Sequence, residues 1–251
     1  MMFPKISIIT ICWNSADHIV SALRSVLQQT YENFEYIIQD GCSTDGTLDI
    51  VARHADPRMR VFSEPDAGIY DALNKAISKA TGDIIGIVHA DDFLASPTVL
   101  EKVAQVMADP SVDGVYGDLE YVLPDNPDSV IRYWRAGEYT PKLLKRGWMP
   151  PHPTLYLRRE VYEQWGAFDT SYAISGDYEA ILRWLVRGKI RLHYIPEVLV
   201  KMRLGGTSNR LRNLWRKDVE SLRAMRHHGV GGLPTLAMKY LRKLDQFFVR
   251  R

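Results

Sequence analysis

The chain has 251 residues, 46% of them hydrophobic and 25% charged, which suits one large domain or a domain with a smaller appendage and excludes disordered and fibrous classes. Two cysteines, Cys12 and Cys42, make neither a disulfide framework nor a thiolate metal site and fit a reducing compartment. The formal charge of +2 divides into −8 over residues 1–200 (19 basic, 27 acidic) and +10 over residues 201–251 (13 basic, 3 acidic), so the C-terminal part calls for an anionic neighbour.

The N-terminus, Met1-Met2-Phe3-Pro4-Lys5, runs straight into a strand-like segment without the charged leader, apolar core and cleavage site of a secretory signal. No apolar stretch approaches the ~20 residues of a membrane-spanning helix. The expectation is a cytoplasmic protein, with any membrane contact peripheral and on the inner face. Ile6 to Ile11 then predicts a strand, followed by Asn14-Ser15 as cap candidates and a helix carrying Ile19, Val20, Leu23, Val26 and Leu27. The alternation repeats: Phe34 to Ile38 with a helix near Leu48 to Ala52, Arg60 to Phe62 with Tyr70 to Ala80, and Ile84 to Val88 with Val99 to Met107. Repeated strand-helix units predict an α/β fold with a mostly parallel sheet covered on both faces, whose ligands bind at the carboxyl ends of the strands.

After residue 113 the rhythm changes, with strands expected at Val115 to Val122 and Val130 to Trp134 around a loop at Pro124 to Pro127. The run Trp148 to Pro153 is proline-rich and is expected to be extended. A strand at Thr154 to Leu157 and helices at Arg159 to Trp165 and Tyr178 to Val186 follow. Two amphipathic helices close the chain, one around Leu211, Leu214, Trp215, Leu222 and Met225. In the other, Leu233, Leu236, Ala237, Tyr240, Leu241, Leu244, Phe247 and Phe248 form the apolar stripe, with Lys239, Arg242 and Lys243 between them. The parts are thus residues 1–122 for a nucleotide, 123–208 for an acceptor side of the same domain, and 209–251 as a basic helical tail.

The first strand ends in Thr10-Ile11-Cys12-Trp13-Asn14, without the Gly-x-Gly-x-x-Gly of a dinucleotide site, so a nicotinamide or flavin enzyme is not expected. Trp13 offers a ring for stacking on a base, the structural alternative being a core tryptophan. Asp40, at the second strand's end, is a base-reading acceptor, whereas Ser43, Thr44 and Asp45 suit turn and N-cap geometry. The fourth strand drives into Asp91-Asp92. Adjacent carboxylates there repel unless a cation intervenes, and oxygen ligands suit Mg²⁺ or Mn²⁺; the alternative is that they cap the helix near Pro97.

Together these segments resemble the family 2 glycosyltransferases, which have the GT-A fold. The resemblance rests on Trp13-Asn14, Ser25 to Tyr31, Asp40-Gly41-Cys42-Ser43-Thr44-Asp45-Gly46-Thr47, Ser63 to Ala72, Thr81-Gly82-Asp83 and Ala90-Asp91-Asp92. It continues less tightly through His152-Pro153-Thr154, Gly166-Ala167-Phe168-Asp169, Ser175 to Glu179 and Arg203 to Ser208. It implies a donor site that includes Thr10, Trp13, Asn14, Asp40, Asp66 and Asp91, with Asp92 as metal ligand. Two departures stand out: Asp40-Gly41-Cys42 stands where the pattern usually has Asp-Asp-Gly or Asp-Gly-Gly, and Gly176-Asp177 replaces the usual Glu-Asp pair. By the same resemblance Asp177 is the general base, its alternative being an N-cap. His152 is open between metal, phosphate, acceptor and an incidental role. Arg203 with Gly205-Gly206 is a candidate lid over the diphosphate or a surface turn.

The expected activity is inverting, metal-dependent hexosyl transfer from a nucleotide diphosphate sugar, a UDP-sugar first, to a saccharide or lipid-linked saccharide in cell-surface polysaccharide or glycolipid assembly. Nucleic acid is not an expected partner. The basic tail docks on an anionic membrane surface, or else packs on the catalytic domain or a second subunit of a homodimer. The rivals are a nucleotidyltransferase, against which the Trp13-Asn14-Ser15 turn argues, and a catalytically silent nucleotide-binding module.

Overall fold

The computed structural model describes residues 3–205, 211–244 and 246. Strands β1 (Ile6–Cys12), β2 (Phe34–Asp40), β3 (Met59–Ser63) and β4 (Ile84–Ile87) alternate with helices α1 (Ile19–Leu27), α2 (Thr47–Arg53) and α3 (Ile69–Lys79). They pair in parallel in the order β3-β2-β1-β4. The chain leaves β1 toward β2 on one side and returns to it with β4 on the other, so a topological switch point lies at the carboxyl end of β1. The period-2 pattern of β1 explains its burial on both faces: Ile6, Ile8 and Cys12 join the core under α1, α2 and α4 (Val99–Met107), whereas Ile9 joins the core under α3. α1 buries Ile19, Ala22, Leu23 and Val26, a helical spacing in which each large side chain contributes roughly 1.5–3 kcal/mol on leaving water.

The second half of the sheet is mixed. β8 (Tyr156–Arg158) runs antiparallel to β4 and to β6 (Gly114–Val122), and β7 (Val130–Trp134) is antiparallel to β6. β9 (Leu192–Arg203) lies parallel to β6 and antiparallel to the two-residue β5 (Phe93–Leu94). Sequence periodicity does not reveal β9, because Pro196 interrupts it. The register jumps from Gly117↔Ile195 to Asp118↔Val198, so the proline falls in a bulge where its missing N–H is tolerated. Helices α5 (Pro141–Leu144), α6 (Arg159–Trp165) and α7 (Gly176–Val186) belong to the α3 side of the sheet. The proline-rich run expected to be wholly extended ends in a 3-10 turn at His152–Thr154. Pro153 has the backbone angle of a first helical turn, and the Thr154 hydroxyl bridges the carbonyls of Pro151 and Gly117, lying 2.8 and 3.0 Å from them.

The tail helices, α8 (Leu211–His227) and α9 (Leu233–Leu244), pack on this domain through Ala224, Met225 and Val230. Glu179 of α7 accepts from Arg183 and pairs with His228 at 2.9 Å, both beneath the surface. α9 lies against the loop before the 3-10 turn so closely that a Cβ on Gly147, whose φ is +72°, would meet the Lys239 backbone nitrogen at 2.4 Å. Of the apolar stripe of α9, Leu236 packs against the core. Leu233, Ala237, Tyr240 and Leu241 face solvent, and Thr235 and Lys239 are buried instead. Phe247 and Phe248 of that stripe lie outside the described residues. Among the described residues, no helix is long and apolar enough to cross a membrane.

Candidate active site

Two groups of residues gather along the carboxyl edge of the parallel strands. The first surrounds Gly41, just past β2. A Cβ there would sit 2.6 Å from Asp66 Oδ2 and 3.5 Å from Trp13 Cδ1, so the ends of β1 and β2 and the turn after β3 converge on this glycine and a larger residue would push the Asp66 carboxylate aside. Trp13 is 68% exposed, which removes the core-tryptophan alternative. Asp66 accepts from the Gly68 amide at 2.9 Å. Asp40 is fully buried, flanked in register by Cys12 and Ser63, and accepts from the Ser63 hydroxyl at 2.7 Å and from the Ser43 amide and hydroxyl. Asn14, at a φ of +48°, accepts from the Thr44 amide and donates its own amide to Ser43. Asp45 accepts from the Thr47 amide at the start of α2, so Ser43, Thr44 and Asp45 do serve turn geometry. Thr10 is also fully buried, donating to the Val88 carbonyl at 2.6 Å and bonded to the Tyr36 hydroxyl. Its side chain ties β1 to the end of β4 and is not presented at the surface.

The second group lines a cavity of about 650 Å³ that includes Asp91, Asp92, His89, His152 and Asp177. Asp92 is fully buried. Its Oδ1 accepts the Arg203 amide at 3.3 Å, and its Oδ2 has no hydrogen-bond partner among the described residues. Burial, then the neighbouring Asp91 charge, pushes the Asp92 carboxyl well above the usual carboxylate range. An orphaned carboxylate oxygen facing a cavity fits a cation ligand. The described residues contain no cluster of three or more His, Cys, Asp or Glu side chains able to hold a metal. An ion on Asp92 would therefore complete its shell with phosphate oxygens and water, as Mg²⁺ commonly does. Neither acid caps the next helix, since α4 begins at Val99 after Thr98.

Arg203 departs from the expected surface turn. It is buried, donating to the Asp91 carbonyl at 2.9 Å and to the Ser21 hydroxyl at 2.8 Å, with its guanidinium 4.9 Å from the Phe93 ring centroid. Buried and bonded in this way, Arg203 braces the loop of the acidic pair and does not lie in a surface turn. Gly206, in the segment expected to hinge the lid over the diphosphate, lies outside the described residues.

Asp177 sits in the first turn of α7 and makes no capping bond. Other groups satisfy the helix start: the Tyr70 hydroxyl accepts from the Gly176 and Asp177 amides at 2.8 and 3.2 Å and donates to the Ile174 carbonyl. Glu220 of α8 accepts from the Ala173, Ile174 and Ser175 amides at 2.9–3.1 Å. The Asp177 carboxylate lines the cavity, where His152 Nδ1 lies 3.1 Å from Oδ2 and the Tyr70 hydroxyl 3.4 Å from Oδ1. Burial lowers the His152 pKa, the lysines Lys217 and Lys239 lower it further, and Asp177 opposes them. A neutral His152 donates from Nδ1, because a carboxylate only accepts. His89 lies behind, its ring centroid 5.8 Å from that of His152, and burial with His152 pushes it down to about 4 against the pull of Asp91 and Asp177.

Several of these residues gave no signal of a site role in the sequence. Tyr70 and His89 stood inside recognised segments without a role, and Glu220 was one acid in a basic helix. Lys217, Lys239, Arg242 and Lys243 counted only as part of a basic tail calling for an anionic neighbour, yet all four line the cavity. The absence of an acid before Asp177 now has a cause: a Cβ on Gly176 would meet Tyr70 ring carbons at 2.7–2.9 Å.

Residues 7–169 match the model of glycosyl transferase family 2. A PGL/p-HBAD biosynthesis glycosyltransferase of Mycobacterium bovis (strain BCG) is 30% identical over 83% of this chain and 81% of its own. The chondroitin synthase of Pasteurella multocida is 26% identical over 84% of this chain but only 22% of its own length. Among solved structures, Staphylococcus aureus TarS 1–349 with UDP-GlcNAc superposes with a TM-score of 0.70 at 17% identity, over 97% of this chain and 72% of that one. A Pyrobaculum calidifontis mannosyltransferase with GDP-Man and Mn²⁺ gives 0.67 at 22%, over 96% and 70%. The structural likenesses carry the fold, which is GT-A, and with the family match over most of the sheet they leave one assignment: this chain is a glycosyltransferase and belongs to glycosyl transferase family 2.

Proposed function

We propose that the chain transfers a hexose from a nucleotide diphosphate sugar to an acceptor hydroxyl with inversion at the anomeric carbon, in cell-surface polysaccharide or glycolipid assembly. The observation that carries this reading is the shared cavity of Asp92, with an unpartnered buried oxygen, and Asp177, held by His152. The donor class is supported by the UDP-GlcNAc and GDP-Man bound to structural neighbours. A UDP-sugar is the first choice, with Trp13 stacking on the base and Asp40 and Asp66 beside it. Asp40 already accepts from Ser43 and Ser63, so reading a ring N–H requires it to share an oxygen.

Asp92, with Asp91 adjacent, would hold Mg²⁺ or Mn²⁺, which supplies positive charge to the departing nucleoside diphosphate when bound. Asp177 takes the acceptor proton. His152 fixes Oδ2, and the acceptor hydroxyl approaches Oδ1, which has the Tyr70 hydroxyl 3.4 Å away, while Tyr70 and Glu220 hold the turn that carries the base. The outward apolar side chains of α8 and α9, Trp215, Val219, Leu233 and Leu241, support peripheral docking on an anionic membrane presenting a lipid-linked saccharide.

The test begins with thermal shifts against uridine, guanosine and thymidine diphosphates, with and without Mn²⁺, followed by turnover of the matching donor sugar. Asp177→Asn should lower turnover by about 100-fold or more with donor affinity nearly unchanged. Wild-type turnover in that variant would refute the base assignment.

A further inference from the structure

α9 is inside out for a helix packed on a domain. Its apolar side chains Leu233, Met238, Tyr240 and Leu241 are exposed, Leu233 by 64%. Lys239 is buried, and Arg242 and Lys243 are half-buried along the cavity wall, where Lys217 of α8 joins them. None of these four cations forms an ion pair among the described residues. Lys239 Nζ instead sits 3.4 Å from the centroid of the Tyr178 ring. Burying cations together without counter-charge is unfavourable. Burial, with the neighbouring lysines, pushes Lys239 down to about 7 and Lys243 to about 8, although Asp177 and Asp218 pull both upward. Such a wall persists in a binding protein when a ligand supplies the missing negative charge.

The cavity thus carries Asp91 and Asp92 at the sheet edge and Lys217, Lys239, Arg242 and Lys243 on the tail helices, with Arg132 of β7 and Arg135 just past it as further cations of the lining. On the reading above, the acidic end takes the donor diphosphate through a metal ion, which leaves the cationic end for a second anion on the acceptor side of Asp177. The same helix turns apolar side chains outward, where a hydrocarbon chain or bilayer surface would bury them. We propose that Lys217, Lys239 and Lys243 bind a phosphate or diphosphate that links the acceptor sugar to a lipid, with the outward stripe of α9 against the membrane that holds it. The phosphate is a handle, and no bond to it forms or breaks. The inference rests on the glycosyl-transfer reading for its purpose but not for its test.

The test has two arms, both on the full chain. Inorganic pyrophosphate is titrated calorimetrically in chelator-treated, metal-free buffer. Flotation is then measured with phosphatidylcholine vesicles with and without polyprenyl phosphate. Wild type should bind pyrophosphate and float at least tenfold more with the phosphate-bearing vesicles. Lys239→Gln/Lys243→Gln should weaken both by about tenfold or more, as loss of charge-assisted bonds does, whereas Lys142→Gln on the exposed surface of α5 should change neither. If the double variant melts early, Lys243→Gln alone, at a half-exposed position, carries the comparison. Leu233→Ser/Leu241→Ser should lose flotation and keep pyrophosphate. Equal pyrophosphate binding by wild type and the lysine variants, or none, overturns the site. Pyrophosphate binding without flotation of the wild type overturns the lipid assignment. Neither arm uses a sugar donor, so failure here is separate from failure of sugar transfer.

Discussion

Gly176→Ala is the most demanding test of how the base is held. Alanine normally favours a helical position over glycine by about 1 kcal/mol, so a neutral reading of α7 expects a slightly more stable protein. The structure expects the opposite sign. The new methyl would lie 2.7–2.9 Å from three carbons of the Tyr70 ring, which is buried and stacks on Phe168 with centroids 5.5 Å apart. Relief moves the ring by roughly half an ångström or more, with an overpacking cost of about 1–3 kcal/mol. The same shift loosens the two amide bonds that Tyr70 accepts from Gly176 and Asp177, each worth about 1 kcal/mol. After the helix gain, the net loss is about 3 kcal/mol, or roughly 6–12 °C in melting temperature for a chain of this size. A base displaced by about 1 Å loses on the order of 100-fold in turnover. Differential scanning fluorimetry and single-turnover kinetics read the two effects. A variant that melts at or above wild type with normal turnover would show that Tyr70 and Gly176 do not position Asp177. Gly176→Glu, which restores the acidic pair usual in the family, should be at least as damaging.

Trp13→Ala should weaken nucleoside diphosphate binding by about 1–3 kcal/mol without lowering the melting temperature, because the ring is exposed; unchanged affinity by calorimetry would remove it from the base site. Asp92→Asn should abolish the extra thermal stabilisation that Mn²⁺ gives in the presence of nucleotide, and an undiminished Mn²⁺ increment would move the metal elsewhere. Glu35 tests the sheet: burial alone would raise its pKa, but bonds from Ser7, Thr81 and Arg60 bring it from 4.5 down to about 2. A depressed carboxylate pKa stabilises the fold fully above about 4.5 and loses that effect as pH falls toward about 2. Glu35→Gln should therefore cost about 2 kcal/mol at pH 7, with the gap to wild type closing in acid; a pH-independent gap would refute the linkage.

The first four strands, their helices and the donor edge of the sheet were legible in the sequence because local patterns specify them. Ile6 to Ile11 is a β-branched apolar run, Ile19 to Val26 repeats with helical period, and Asp40 ends β2 while Asp91-Asp92 follow β4, strands whose carboxyl ends share one edge. The apolar run of α7 was legible as a helix too, although Asp177, expected in the turn before it, lies within its first turn.

Tertiary structure decided what depends on partners distant in the chain. β9 exists because β6 supplies a ladder with a gap at Pro196. Arg203 became a brace because Asp91 and Ser21 converge on it, and Gly176 is small because Tyr70, over a hundred residues earlier, occupies its side-chain space. The tail shows the limit most clearly, because hydrophobic periodicity distinguishes the two faces of a helix but not which one turns inward. In α9 the packing of the tail on the domain turned Lys239 and Lys243 toward the cavity and left Leu233 and Leu241 outside.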